Sequence, residues 1–210
     1  MGLQCLTNNT TQKCLIAGSL LLALNTQTVN ADLINTDFSS GFSGWEAEVI
    51  SYNYDSDADV TNAGEIFSQY ADNFMLGDNQ VTLATSSDAQ NDYWSVSMFQ
   101  EALLAPDAQT LSLDVSASLT DAATDLFFVQ LRDLSSDDII DLSAGGSFDI
   151  SSWAGEMVSL EFGVMDYDFI PADSLTVSNI SLAAAEVPAP ATGLLLALGA
   201  VAAVRRKIAR

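Results

Sequence analysis

Residues 157–164 read MVSLEFGV, and their hydrophobicity alternates with a period of two: Val158, Leu160, Phe162 and Val164 share one side of an extended chain, and Ser159, Glu161 and Gly163 the other. That period belongs to a strand with one buried face, since a helix would need apolar residues three and four apart. The pattern recurs at 110–118, TLSLDVSAS, with Leu111, Leu113, Val115 and Ala117 on one face, and at 93–100, YWSVSMFQ, with Trp94, Val96 and Met98 inward. Further candidate strands are WEAEVISY, EIFSQY, QVTLAT and LFFVQLRD. In SLTVSNISL the apolar positions pass from Leu175 and Val177 to Ile180 and Leu182, a one-residue slip that predicts a bulge near Asn179.

Turn signals separate these runs: LGDNQ, SLTDAATD, SAGGS, SSWAGE and IPADS. Eight or nine short strands, few helical stretches and no internal repeat predict an all-β protein, an antiparallel β-sandwich of the jelly-roll type. A jelly roll would set the first and last strands side by side, and EALLAP (101–106) carries a short helix as an alternative.

Charge divides the 210 residues into three. Every one of the 28 acids lies between Asp32 and Glu186, where Arg132 is the single basic residue, giving that segment a net charge of −27. Such a body is repelled by phosphate backbones and anionic lipids, which argues against nucleic-acid partners and leaves cations, cationic partners and neutral sugars. Its 155 residues suffice for one domain with a hydrophobic core. Both cysteines, Cys5 and Cys14, precede it, so no disulfide framework is expected within it.

The two ends read as addresses. Residues 1–31 are expected to be a signal peptide, with Lys13 as the positive region, an eleven-residue apolar run from Cys14 to Leu24, and small residues at Val29 and Ala31 that place cleavage between Ala31 and Asp32. At the other end, 191–204 is an uncharged, largely apolar helix candidate of about 21 Å, short of a hydrocarbon core of about 30 Å. It is followed by a basic stop of Arg205, Arg206, Lys207 and Arg210. The positive-inside rule leaves that cluster cytoplasmic and the acidic body outside. Pro188 and Pro190 mark an extended hinge between body and helix.

The order of proline motif, brief apolar helix and terminal arginines resembles the PEP-CTERM sorting signal of Gram-negative bacteria, in its V-P-x-P-A variant: Val187, Pro188, Ala189, Pro190, Ala191, Thr192 and Gly193. Ala189 stands where the usual signal has glutamate. The resemblance implies an exosortase-type processing enzyme and the export machinery as partners, transient contact of the C-terminal transmembrane helix with the inner membrane, and delivery to the cell surface or extracellular matrix. APATG is also similar to a sortase signal, without its leucine.

The body resembles galactose-binding-like jelly-roll domains and related carbohydrate-binding modules. DFSSGFSGWE (37–46) is similar to their opening strand, and FDISSWAGEMVSLEFGVMDYDFIPADSLTVSNISL (148–182) to their closing pattern. In those modules a structural calcium is often held between the first and last strands; the matching positions here are Ser39 and Asn179.

With no histidine in the chain and no cysteine in the body, histidine-based triads, cysteine nucleophiles and histidine-ligated zinc are excluded. No phosphate-binding glycine loop or G-x-S-x-G elbow is present. Calcium is the one cofactor the residues suggest. Asp55, Asp57 and Asp59 alternate in YDSDADV like the ligands of an oxygen-rich loop, although Val60 and Ile66 stand where an EF-hand needs glycine and glutamate. The aromatic candidates for a sugar platform are Trp45, Trp94, Trp153, Tyr52, Tyr54, Tyr93 and Tyr167. Trp45 and Trp94 are expected inside, which leaves Tyr52, Tyr54 and Trp153 as the favoured platform. The leading expectation is a surface-sorted protein without enzymatic activity, associated with extracellular polysaccharide or a biofilm matrix. The alternatives are a carbohydrate-binding module with a defined glycan ligand and a small carbohydrate-active enzyme, the latter needing only two carboxylates.

Overall fold

A computed structural model describes residues 32–53, 58–62, 65–85, 93–170 and 172–185. The signal-peptide segment with Ala31, the sorting motif, the C-terminal helix and its basic stop lie outside the described residues, as do Tyr54, Asp55 and Asp57.

Two antiparallel sheets face each other. The first contains β1 (Glu46–Asn53), β2 (Ala58–Asn62), β5 (Tyr93–Leu103), β7 (Leu126–Asp133), β8 (Ile139–Asp141) and β10 (Met157–Asp166), in the order β2-β1-β5-β10-β7-β8. The second contains β3 (Phe74–Gly77), β4 (Gln80–Ala84), β6 (Ala108–Ser118), β9 (Gly146–Asp149) and β11 (Ser174–Ala184), in the order β3-β4-β11-β6-β9. Strands β4 to β7 and β9 to β11 alternate between the sheets, so each connection crosses the sandwich and the core is closed from both sides. The expected all-β sandwich is present. The first and last strands are not side by side: β1 and β11 lie in different sheets, and β11 sits in the middle of its own between β4 and β6.

The period-two faces fall as their chemistry requires. Val49, Trp94, Val96, Met98, Leu111, Leu113, Val129, Leu131, Val158, Leu160, Phe162 and Val164 are buried between the sheets. Burying a side chain of this size is worth about 1.5–3 kcal/mol. Trp45 stacks on Phe38 and meets the edge of Phe162, which anchors the opening loop to the core. That loop is also held by Gln100, whose Oε1 accepts from Ile34 N at 2.7 Å while Nε2 donates to Ile34 O and Gly44 O. Gln100 is 4% exposed, so Gln100→Leu leaves three backbone groups unpaired and is expected to cost about 1–3 kcal/mol in denaturant unfolding.

Two local readings change. EIFSQY is not a strand: Ile66–Gln69 forms a short helix, because Ile66 and Tyr70 are one turn apart, with Ile66 in the core and Tyr70 against Trp94. EALLAP is not a helix; Glu101–Leu103 completes β5. The strands β2, β3, β8 and β9 are too short to show a period in sequence. The bulge is where the slip placed it, between Ser178 and Ser181, with Asn179 at φ 55°, a left-handed conformation that asparagine tolerates.

Candidate functional site: a trough on the six-stranded sheet

Four of the residues that point away from the core on β5 and β10 are small: Ser95, Ser97, Ser159 and Gly163. Along β5 the outward residues are Tyr93, Ser95, Ser97 and Phe99; along β10, Met157, Ser159, Glu161, Gly163 and Met165. Register sets them in rows across the sheet. Glu48, Ser97, Gly163 and Phe128 form one row, Ile50, Ser95 and Met165 a second, and Glu101, Ser159 and Arg132 a third. Ser95, Ser97 and Ser159, set between the larger Glu48, Ile50, Glu101, Phe128, Arg132 and Met165, hollow the face into a trough of about 440 Å³, bounded at one end by Tyr93 and Tyr167.

Gly163 has a particular role. A Cβ there would lie 2.6 Å from Phe128 Cε1 and 3.0 Å from Val96 O, so only glycine lets the Phe128 ring lie across the centre of the trough. Gly163→Ala is expected to displace that ring and to lower stability by about 1–3 kcal/mol, read as a reduced denaturation midpoint.

The trough combines rings with hydrogen-bonding groups. Tyr93 and Tyr167 lie 5.1 Å apart at 56°, and Tyr167 is 44% exposed. Arg132 Nη2 donates to Glu161 Oε2 at 2.7 Å, and Gln130 Nε2 donates to the same oxygen at 2.8 Å. A part-exposed pair of this kind adds little stability, but it fixes the guanidinium over the trough, where its remaining donors can meet hydroxyl groups. Glu48 and Glu101 add acceptors on the rim.

Of the expected glycan platform of Tyr52, Tyr54 and Trp153, the two described members, Tyr52 and Trp153, are not brought together. Tyr52 stands opposite Tyr93 at the start of β5. Trp153 lies in a turn beside Leu104, at the far end of that strand, and packs against the core. Ten residues of strand, about 33 Å, separate those ends. Tyr54 lies outside the described residues. Of the expected calcium loop, Asp59 is placed in β2, opposite Tyr52. Ser39 and Asn179 have other partners: Ser39 donates to Asp37 from its amide and hydroxyl, and Asn179 Nδ2 donates to Asp114 at 2.7 Å.

A second polar cluster lies under the Tyr167 end. Asp125, just before β7, Asp166, the last residue of β10, and Asp173, just before β11, bring carboxylate oxygens within 4.8 Å of one another. Burial disfavours ionisation of Asp125, but hydrogen bonds from the amides of Tyr167, Asp121 and Asp168 and from the Thr120 hydroxyl outweigh it and hold the carboxyl below its usual range. Burial pushes Asp173 up against two bonds from Thr120. Asp166 is raised to about 6 by burial, opposed by one bond from Phe169 N, with the charges of Asp173, Asp168 and Asp125 adding to the rise.

A carboxyl raised in the folded state favours folding at low pH and loses that contribution as pH rises from about 4 to about 6. In cation-free buffer the melting temperature is therefore expected to fall across that window, and Asp166→Asn to flatten the fall, by comparison of the two melting profiles.

Comparison with known protein families finds no match, and comparison with curated proteins finds none. Among solved structures the chain is similar to TmCBM61 in complex with beta-1,4-galactotriose, at 12% identity and a TM-score of 0.44, covering 74% of this chain and 99% of that one. It is also similar to the enzymatically active domain of bacteriophage CBA120 tailspike protein 4, at 14% identity and a TM-score of 0.40, covering 74% of this chain and 21% of that one. The chain thus spans about a fifth of the tailspike structure. Likenesses at this level carry nothing about activity, and the expectation that the chain has no enzymatic activity is withdrawn.

Proposed function

We propose that the body is a carbohydrate-binding domain that holds a glycan along the trough of the six-stranded sheet. The observation that supports this most is the pairing of a small-residue floor, Ser95, Ser97 and Ser159, with the rings of Tyr93, Phe99, Phe128 and Tyr167. Sugar rings offer apolar faces to aromatics and hydroxyls to carboxylates, amides and guanidinium, and a trough of a few hundred Å³ suits a short run of them. A ligand without negative charge also suits a body in which Arg132 faces 28 acids. The test is titration of the protein with neutral polysaccharides and oligosaccharides, beta-1,4-galactotriose among the probes, followed by tryptophan fluorescence and calorimetry. Saturable heat with one oligosaccharide class supports the reading; no binding to any neutral glycan removes it.

The proposal extends to placement. Residues 1–31 serve as the export signal and 187–210 as a sorting signal read by an exosortase-type enzyme, so that the domain meets extracellular polysaccharide at the cell surface. The support is the sequence alone: the apolar run before Ala31, the motif Val187–Gly193 and the terminal arginines. Intact-mass analysis of the protein from its native cell surface is expected to give a chain running from Asp32 to the neighbourhood of Pro190. A retained RRKIAR terminus means a simple anchor instead.

A further inference from the structure

We propose that Asp125, Asp166 and Asp173 form a calcium site at the end of the sandwich beneath Tyr167, distinct from the loop of Asp55, Asp57 and Asp59 and from the positions of Ser39 and Asn179. Three carboxylates converge there, and their residues are 1%, 1% and 0% exposed. Two of their oxygens, Asp166 Oδ2 and Asp173 Oδ2, are buried and have no hydrogen-bond donor. Buried carboxylate oxygens without a donor are costly unless a cation or a proton reaches them.

The surroundings are short of donors. Thr120 Oγ1 lies within hydrogen-bond distance of Asp173 Oδ1 at 2.9 Å, Asp125 Oδ2 and Ile170 O at 3.2 Å, and Asp168 Oδ2 at 3.5 Å. One hydroxyl proton serves one of these four acceptors, so the others meet oxygen against oxygen. No basic side chain offsets the charge. Among the described residues the only one is Arg132, which pairs with Glu161 and stands opposite Ser159 on β10. Asp166 is seven residues further along that strand, about 23 Å away.

The donor set selects the cation. All the converging groups are oxygens, which excludes metals that favour nitrogen or sulfur. Several carboxylates with irregular surrounding oxygens fit calcium, which accepts six to eight oxygen ligands in flexible geometry, better than magnesium, which demands a near-ideal octahedron. Asp125, already held ionised by three backbone amides, supplies a fixed negative charge; Asp166 and Asp173 supply their open oxygens.

The experiment uses the full chain stripped with EDTA and then titrated with CaCl2 or MgCl2, followed by calorimetry and melting temperature. The result expected is calcium binding at one saturable site and a rise of several degrees in melting temperature, with a smaller response to magnesium. Asp166→Asn and Asp173→Asn are each expected to weaken calcium binding at least tenfold. Both remove buried negative charge, so the cation-free variants should melt no lower than the parent. An exposed control, Asp137→Asn with Asp138→Asn, leaves binding unchanged. Absence of calcium heat and of any melting shift overturns the site. So does calcium binding of undiminished affinity in both cluster variants, which would locate it elsewhere on the acidic body.

Discussion

Replacing Phe162 with alanine is expected to lower the stability of the domain by about 3–5 kcal/mol, seen in denaturant unfolding as a reduced midpoint with an unchanged slope. Phe162 is the largest of the fully buried side chains, at 0% exposure, and it sits on β10 between Met98 of β5 and Val129 of β7. Its ring meets the edge of Trp45 at 5.4 Å and 61°, so truncation also removes the support that holds the opening loop. The backbone around it is pinned by ladders on both sides, which leaves little freedom for the cavity to collapse. A loss below about 1 kcal/mol would mean that the sheets can close over the gap, contrary to a rigid, fully packed sandwich.

Tyr93→Ala combined with Tyr167→Ala is expected to weaken glycan binding by about 10- to 100-fold while leaving the core intact. Each ring contributes a flat apolar face at the end of the trough, and a tenfold change corresponds to about 1.4 kcal/mol, a reasonable loss for one ring. Tyr167 is close to half exposed and Tyr93 lies outside the core cluster, so the melting temperature should change little compared with Phe162→Ala. Calorimetric titration of the parent and the double variant with the same oligosaccharide checks this. Equal affinities would move the ligand away from this end of the sheet.

Much of the sandwich was legible because burial on one face writes a period of two into any strand long enough to show it. Strands β5, β6, β10 and β11 run ten or eleven residues and were readable, down to the bulge at Asn179. Strands of three or four residues, such as β8 and β9, carry no period, and EIFSQY misled because its burial is set by a helical turn against Phe42 and Trp94. The pairing of strands across sheets was not legible, so neither was the separation of β1 from β11.

The trough was half visible. The same alternation that placed Val96 and Phe162 inside left Ser95, Ser97, Ser159 and Gly163 outside, a run of small residues on two strands that is unusual for a solvent face and marks a hollow once the strands are known to be neighbours. Tyr93 and Tyr167 stood among the candidate aromatics, but their meeting depends on the turn after β10, which no local pattern reveals. Asp125, Asp166 and Asp173 stand 41 and 7 residues apart at strand ends. Only the crossing of β7, β10 and β11 brings them together.

Amide chemical-shift mapping of the protein with a bound neutral oligosaccharide tests the central claim most directly. The account predicts that the largest shifts fall on Ser95, Ser97, Gly163 and Tyr167, along the middle of the six-stranded sheet. Shifts confined to the five-stranded sheet or to the loops beside Trp153, with the trough unmoved, would contradict it.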